Sequence, residues 1–424
     1  MMKTNVVRTA VILTLLAFSS TFTYAAEEAK PLEVPKPADE PKPLEPGVLS
    51  LDSSVGVVDK KIEEGKSAVE KALGIGISGF FDASYTWSSN HPGSGVNHNI
   101  SGRYFDRDHN KVVFNNFNLT LDKPEKDWGV GFHVVADFGR TGELLREATL
   151  WSSKLHQQPS AELREAFITF TIPVGEGLQF KGGKFVTPLG TEILPAPGAY
   201  NDNISRSFAF NFGVPLTHTG GLFTYPFSKI VSASAGLVTG WDNPSDNNNS
   251  PSFLGGVNFT PVDAFALASN IIVGREWTAP GIGLPVHNGG TRVTWSNVAT
   301  IKPVDPLTLY LEYTLGHEEN ALTPVGISDA WWHALAGILS YNWTDRFNTA
   351  VRAEYFRDND GARTGVRRLD LGEITLTAAY KFTAKLLGRA EVRQDLAGKS
   401  VFARGSTGAD GAQTTLALQA IYGF

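Results

Sequence analysis

The sequence predicts an all-β fold: a transmembrane, antiparallel, up-and-down β-barrel of about sixteen strands, preceded by a short extended or helical periplasmic segment. Three observations carry this. From Ile75 onward the residue pattern has period two and keeps it to the C-terminus. Short and long connections alternate between the strands. No run of apolar residues beyond the first two dozen positions is long enough for a spanning helix.

The chain has 424 residues, of which 42% are hydrophobic and 11% aromatic, with 43 glycines, and its mean hydropathy is −0.11. That mixture is too polar for a helical membrane bundle and suits many strands joined by turns. Cysteine is absent, which excludes disulfides, thiolate metal sites and a cysteine nucleophile. The formal charge of −6 argues against a nucleic-acid partner.

Residues 1–25 read as an export signal. Lys3 and Arg8 precede the apolar stretch Ala10–Phe18, and Thr23-Tyr24-Ala25 supplies small residues at a cleavage point. Residues 26–74 form a tether rich in Pro, Glu and Lys, too polar to build a core. Val58, Ile62, Val69 and Leu73 give its end a short helical spacing. The barrel is expected over 75–424.

In the first strand Ile77, Gly79, Phe81, Ala83, Tyr85 and Trp87 share one face. Ser78, Asp82, Ser84, Thr86 and Ser88 share the other, with Phe80 as the exception. Near the C-terminus Leu416, Leu418, Tyr422 and Phe424 lie on one face of the closing strand. Short connections are expected at 122–127, 173–177, 226–229, 260–263, 303–306, 344–346 and 383–384. Longer ones are expected near 89–111, 139–161, 186–206, 241–251, 274–290, 317–330, 357–366 and 396–411. The stretch 207–225 reads either as one long strand or as a loop followed by a strand.

A soluble sandwich would show the same alternation with its apolar face turned inward. Aromatics flanking the short turns separate the two readings: Trp128, Phe170, Tyr225, Phe347, Tyr380, Phe382, Tyr422 and Phe424 form the expected membrane girdle. In a barrel, charges then fall on the water-filled side. The expected pore-lining set is Lys181, Arg292, Glu312, Arg352, Glu354, Glu373, Arg389, Glu391, Arg393 and Asp395. Both signs are present, so neither ion preference follows from it.

Several stretches carry a family resemblance: Gly79-Phe80-Phe81-Asp82-Ala83-Ser84-Tyr85, Asn115 to Pro124, Arg164 to Phe170, Gly183 to Glu192, Asn203 to Ser207, and Pro215 to Tyr225 with its paired Gly220-Gly221. Together they resemble the β-barrel porin type 2 family of bacterial outer-membrane proteins over about residues 77–424. The resemblance implies a bacterial outer-membrane location, outer-membrane lipids as surroundings, and a passive diffusion pore for small hydrophilic solutes or ions. By analogy with other outer-membrane barrels, the C-terminal strand is the expected signal for the barrel-assembly machinery, and a homotrimer is the expected assembly. The loop 186–206 is placed where general porins fold a loop into the lumen, with Glu192, Asn201, Asp202 and Arg206 as its constriction residues; packing on the rim is the alternative. A barrel acting mainly as an anchor or adhesin is the rival function.

No cofactor or metal is expected. Asp106-Arg107-Asp108 begins like a calcium loop, but Lys111 replaces the turn glycine and Phe117 the bidentate glutamate. Asp358-Asn359-Asp360-Gly361 reads as a turn. No enzyme is expected either: His133 and Asp137, four apart on a strand, are spaced too widely for a hydrogen-bonded pair.

Overall fold

The computed structural model describes residues 70, 72–93, 99–125, 129–150, 160–276 and 289–424. The expected signal, most of the tether and Trp128 lie outside the described residues.

Alternating side chains form strands β1 (Gly76–Ser88), β2 (Lys111–Lys123) and β3 (Gly131–Phe138), followed by a helix, α1 (Arg140–Leu150). Next come β4 (Ala161–Ile172), β5 (Leu178–Val186), a single π-helical turn (Ala209–Gly213), β6 (Thr217–Pro226), β7 (Val231–Val238), β8 (Ser252–Val262) and β9 (Phe265–Arg275). The second half contains β10 (Thr291–Val304), β11 (Leu307–Thr323), β12 (Gly326–Asn342), β13 (Phe347–Asp358), β14 (Leu369–Lys381) and β15 (Leu386–Ala397). A small hairpin, β16 (Phe402–Arg404) and β17 (Gly408–Asp410), precedes the last strand, β18 (Ala412–Gly423).

Every barrel strand pairs antiparallel with its neighbours, and β18 pairs with both β15 and β1 to close a ring of sixteen strands among the described residues. Closure leaves no open edge, so every ladder group can be bonded within the sheet. The seam runs from Phe80↔Gly423 to Ser88↔Thr415. Phe424 completes it: its N–H donates to the Gly79 carbonyl at 3.0 Å and its carbonyl accepts from Gly79 N–H at 3.1 Å. Its ring packs beside Phe81 and Phe117.

One face of the ring is apolar and exposed, including Phe81, Trp295, Leu311, Tyr313, Ile374, Leu376, Leu416 and Leu418. The alternate residues are polar and buried, including Asp82, Asn118, Thr294, Glu312, Thr375 and Thr415. Exposed apolar and buried polar is the inverse of a soluble sandwich, and it sets the apolar rows toward lipid.

Two expectations change. The stretch 317–330 is not a long loop: β11 and β12 run on to a tight turn, pairing as far as Thr323↔Gly326. Above a membrane both strand faces meet water, so the mixed polarity of Gly316–Asn320 is compatible with a strand that the alternation rule does not detect. The stretch 207–225 resolves into the π-helical turn and β6, so the third long loop extends from Thr187 to Leu216 and its base is closed by Thr187 N–H donating to the Leu216 carbonyl at 3.0 Å.

Candidate functional site

The loop Thr187–Leu216 turns into the barrel and is bonded along its length to inward-facing side chains. Its path is set locally. Gly190 adopts φ +86°, a backbone shape that favours glycine. Ala196 and Ala199 exchange two backbone hydrogen bonds, 3.0 and 2.9 Å, around Pro197-Gly198, making a tight bend. Asn201 accepts from Ile193 N–H at 2.8 Å and donates to the Ile193 carbonyl at 2.7 Å, which ties the two arms together.

On entering, the loop meets β9, β10 and β11. Asn270 donates to the Pro188 carbonyl (2.9 Å), Gly190 N–H donates to Ser296 Oγ (3.0 Å), and Thr191 N–H donates to Glu312 (2.8 Å). At the bend, Arg164 of β4 donates to the Pro195 carbonyl (2.8 Å), and Tyr200 sets its ring edge-on to Phe80 at 5.4 Å. Phe80, the exception in the first strand's polar row, is thus buried inside and serves as a seat for the loop.

The return arm is held by β12 to β15 through a repeated device. Glu391 accepts from two consecutive amides, Ile204 (2.6 Å) and Ser205 (3.0 Å), and from the Thr377 hydroxyl (2.8 Å). Glu354 accepts from Phe208 and Ala209, both at 2.5 Å, the free N–H groups at the start of the π-helical turn. Arginines take the carbonyls: Arg352 and Arg393 donate to those of Ser205 (2.7 Å) and Arg206 (2.5 Å), and Arg389 donates to that of Asn201. Asn203 donates to Thr377 (2.7 Å), and Ser340 donates to Asp202 (2.9 Å).

Ion pairs knit the wall behind this arm. Arg352 contacts Glu192 at 2.7 Å and Glu373 at 2.5 Å; Arg393 contacts Asp395 at 2.6 Å; Arg103, from the first long loop, reaches Asp395 at 2.8 Å. Charges removed from water must find such partners, because an isolated buried charge costs several kcal/mol or more. Arg389 has no carboxylate at contact distance among the described residues; it donates to Gln419, whose amide in turn donates to Asp82.

The inward set therefore behaves differently from a water-lined ring. Arg352, Glu354, Arg393 and Asp395 are 0% exposed and Glu373 is 2%. They face inward as expected, but the loop lies over them: its backbone bonds Glu354, Arg352 and Arg393, and arginine side chains, not solvent, satisfy Glu373 and Asp395. Arg389, Glu391, Glu192 and Arg206 are similarly buried. The structure thus gathers Arg352, Glu354, Glu373, Arg389, Glu391, Arg393, Asp395, Glu192, Asn201, Asp202 and Arg206 into one cluster, with Glu312 at the loop's entry. Two members of the expected lining stand apart. Arg292 donates two hydrogen bonds to the Glu318 carboxylate (2.9 and 2.9 Å) beneath Trp241. Lys181 lies on β5 between Phe167 and Phe185.

The loop base is fixed from outside the strands. Asp242 accepts from Leu216 (2.6 Å) and Thr217 (2.9 Å), and burial pushes its carboxyl up to about 6. Burial likewise raises the Asp202 carboxyl from its ordinary value. Over the return arm an apolar cluster unites Phe208 and Ala209 with Trp241, Trp332, Phe356, Leu371 and Phe402. Trp332 donates its indole N–H to the Gly213 carbonyl at 3.1 Å.

Residues to which the sequence assigned no role in the pore complete the site: Arg103, Arg164, Trp332 and Gln419, with Asp137, weighed above only as a partner for His133. Asp137 accepts from Asn116 (2.8 Å) and Asn118 (2.6 Å) and meets Arg164 at 3.2 Å, while His133 pairs with Asp122 at 3.0 Å. His133 and Asp137 are therefore committed to different partners. In the loop that resembled a calcium site, Asp106 meets Arg103 (2.5 Å) and Asp108 meets Arg140 (3.0 Å). Asp358 accepts the Gly361, Arg363 and Thr364 amides at 2.8–2.9 Å, as a turn requires. The girdle residues Phe347, Tyr380 and Phe382 are exposed on the outer face, and Phe170, Tyr225, Tyr422 and Phe424 are partly so, all beside short turns.

A closed antiparallel ring with an apolar exterior and an inward-folded third loop defines a bacterial outer-membrane barrel of the porin class. The chain belongs to the family described as "Putative beta-barrel porin-2, OmpL-like", whose model matches residues 74–424. No curated protein matches it in sequence. Among solved structures it is similar in fold to the outer-membrane channel DcaP of Acinetobacter baumannii, with 13% identity and a TM-score of 0.55 over 82% of this chain and 97% of that one. OmpT of Vibrio cholerae in its trimer form gives 13% identity and 0.55 over 82% and 99%. The anion-selective porin from Comamonas acidovorans gives 10% and 0.54 over 82% and 99%.

Proposed function

We propose that this protein is a passive diffusion channel for small hydrophilic solutes, with the loop Thr187–Leu216 as its constriction. One observation supports this above the others: the wall supplies dedicated carboxylates and arginines to hold a loop inside the lumen. An anchor or adhesin needs no such arrangement, since a lumen could be filled by ordinary side chains. The charges pinning the loop are paired with one another or bonded to its backbone, so the loop acts chiefly as a size filter. By likeness of fold to the trimer form of OmpT, the barrel assembles as a homotrimer.

Liposome swelling with neutral sugars of increasing size tests this reading. Proteoliposomes should swell with small sugars and progressively less with larger ones. Deleting residues 190–213 should relax that dependence. Absence of swelling with every sugar would reject the channel, and an unchanged size dependence after deletion would reject the loop's role.

A further inference from the structure

The loop covers the inward faces of β12–β15 but leaves part of the opposite wall in contact with water. On β3, β4 and β5, His133, Phe167, Thr169 and Lys181 are partly exposed on the inward side. Lys181 stands across from Thr169 and Leu222 in the sheet register. Its Nζ lies 4.9 Å from the centre of the Phe167 ring and 5.5 Å from that of Phe185. Among the described residues it has no hydrogen-bond acceptor and no carboxylate at contact distance. Glu165 is engaged elsewhere, accepting from Val186 N–H at 3.2 Å and lying 3.6 Å from Arg164.

This contrasts with the rest of the lumen, where arginines are covered and bonded. An ammonium whose only neighbours of this kind are ring faces keeps its N–H donors for a ligand. Beside it the rings of Phe167 and His133 lie 5.1 Å apart and tilted by 33°, an offset aromatic pair. His133 is also bonded to Asp122 at 3.0 Å. A cation at the border of an aromatic platform recognises a molecule built the same way, with an anionic group next to an apolar ring.

We infer that Lys181, Phe167 and His133 form a binding site on the lumen wall for small aromatic monocarboxylates. The carboxylate accepts from Lys181 Nζ, and the ring packs against the Phe167–His133 pair. Such a solute gains a charge-assisted hydrogen bond and an aromatic contact together, whereas acetate gains the first alone. The site deepens the channel reading by naming a solute class, and it rests on that reading only in requiring a lumen open to solute.

Calorimetry with the purified, folded barrel in detergent, using sodium benzoate and sodium acetate at pH 7, measures the site without relying on conduction. Benzoate should bind about tenfold more tightly than acetate, the upper range of one aromatic contact. K181Q should weaken benzoate by about tenfold or more, the loss of a hydrogen bond to a charged group, while K181R should retain most of the affinity. F167L should bring the two ligands closer together. Each variant's folding is checked by its heat-modifiable mobility on gels. Equal binding of benzoate and acetate by the wild type, no binding at all, or unchanged affinity in folded K181Q would overturn the inference. Failure of sugar-driven swelling with benzoate binding intact would instead reject conduction and leave the site standing.

Discussion

Removing the Glu391 carboxylate should detach the return arm of the loop while leaving the barrel closed. Glu391 is 6% exposed and accepts from Ile204 N–H, Ser205 N–H and the Thr377 hydroxyl. In E391A two buried amides lose their acceptor, at a cost of about 1–3 kcal/mol each. The middle of that range, roughly 4 kcal/mol for the pair, corresponds to nearly a thousandfold shift toward the open loop if no compensation occurs. Ile204, 8% exposed, is the natural reporter, because the chain contains no cysteine and I204C would be its single thiol. Maleimide labelling of I204C/E391A should run faster than that of I204C by about two orders of magnitude, allowing for partial relaxation. E391Q, which keeps one acceptor oxygen, should fall between them. Equal labelling rates in the folded proteins would refute the idea that this carboxylate holds the loop.

Other consequences concern the seam, the indole clamp and acidity. A Cβ at Gly79 would lie 2.3 Å from the Asn118 carbonyl and 2.4 Å from Phe424 Cζ; G79A should therefore lower the yield of folded, heat-modifiable barrel, at the roughly 1–3 kcal/mol of an overpacked site. A Cβ at Gly316 would fall 1.9 Å from Trp332 Cε2, so G316A should displace the indole that bonds Gly213 and raise I204C labelling without opening the barrel. The Asp242 carboxyl is raised to about 6 by burial. A folded value above the unfolded one gives stability that is full below about pH 4 and is lost as pH rises through about 6. Hydrogen-exchange protection of Leu216 and Thr217, corrected for intrinsic rates, should fall across that interval and become flat in D242N.

The outer surface was legible in the sequence because lipid imposes one requirement on every outward residue. Leu416, Leu418, Tyr380 and Phe382 obey it, and period two made it visible. The inward rows of β13 to β15 were also legible as charged, since Arg352, Glu354, Arg389, Glu391 and Arg393 alternate with apolar residues. Their partners were not. Half of them are backbone amides and carbonyls of Asn201 to Ala209, and backbone groups are alike at every position, so a sequence carries no mark of them. Trp332 was hidden for another reason. The outer ends of β12, β13 and β14 are apolar inward as well, with Trp332, Phe356 and Leu371 meeting the loops rather than water. The pair Trp331-Trp332, necessarily pointing to opposite faces, was the available clue. The extension of β11 and β12 carries no period-two mark because alternation is enforced only at the depth of the membrane.

Planar-bilayer conductance of the pure, folded protein tests the central claim most directly. Discrete ohmic steps are expected from the wild type, and larger steps when E391A frees the constricting loop. A folded barrel that inserts but passes no current in either form would contradict that claim.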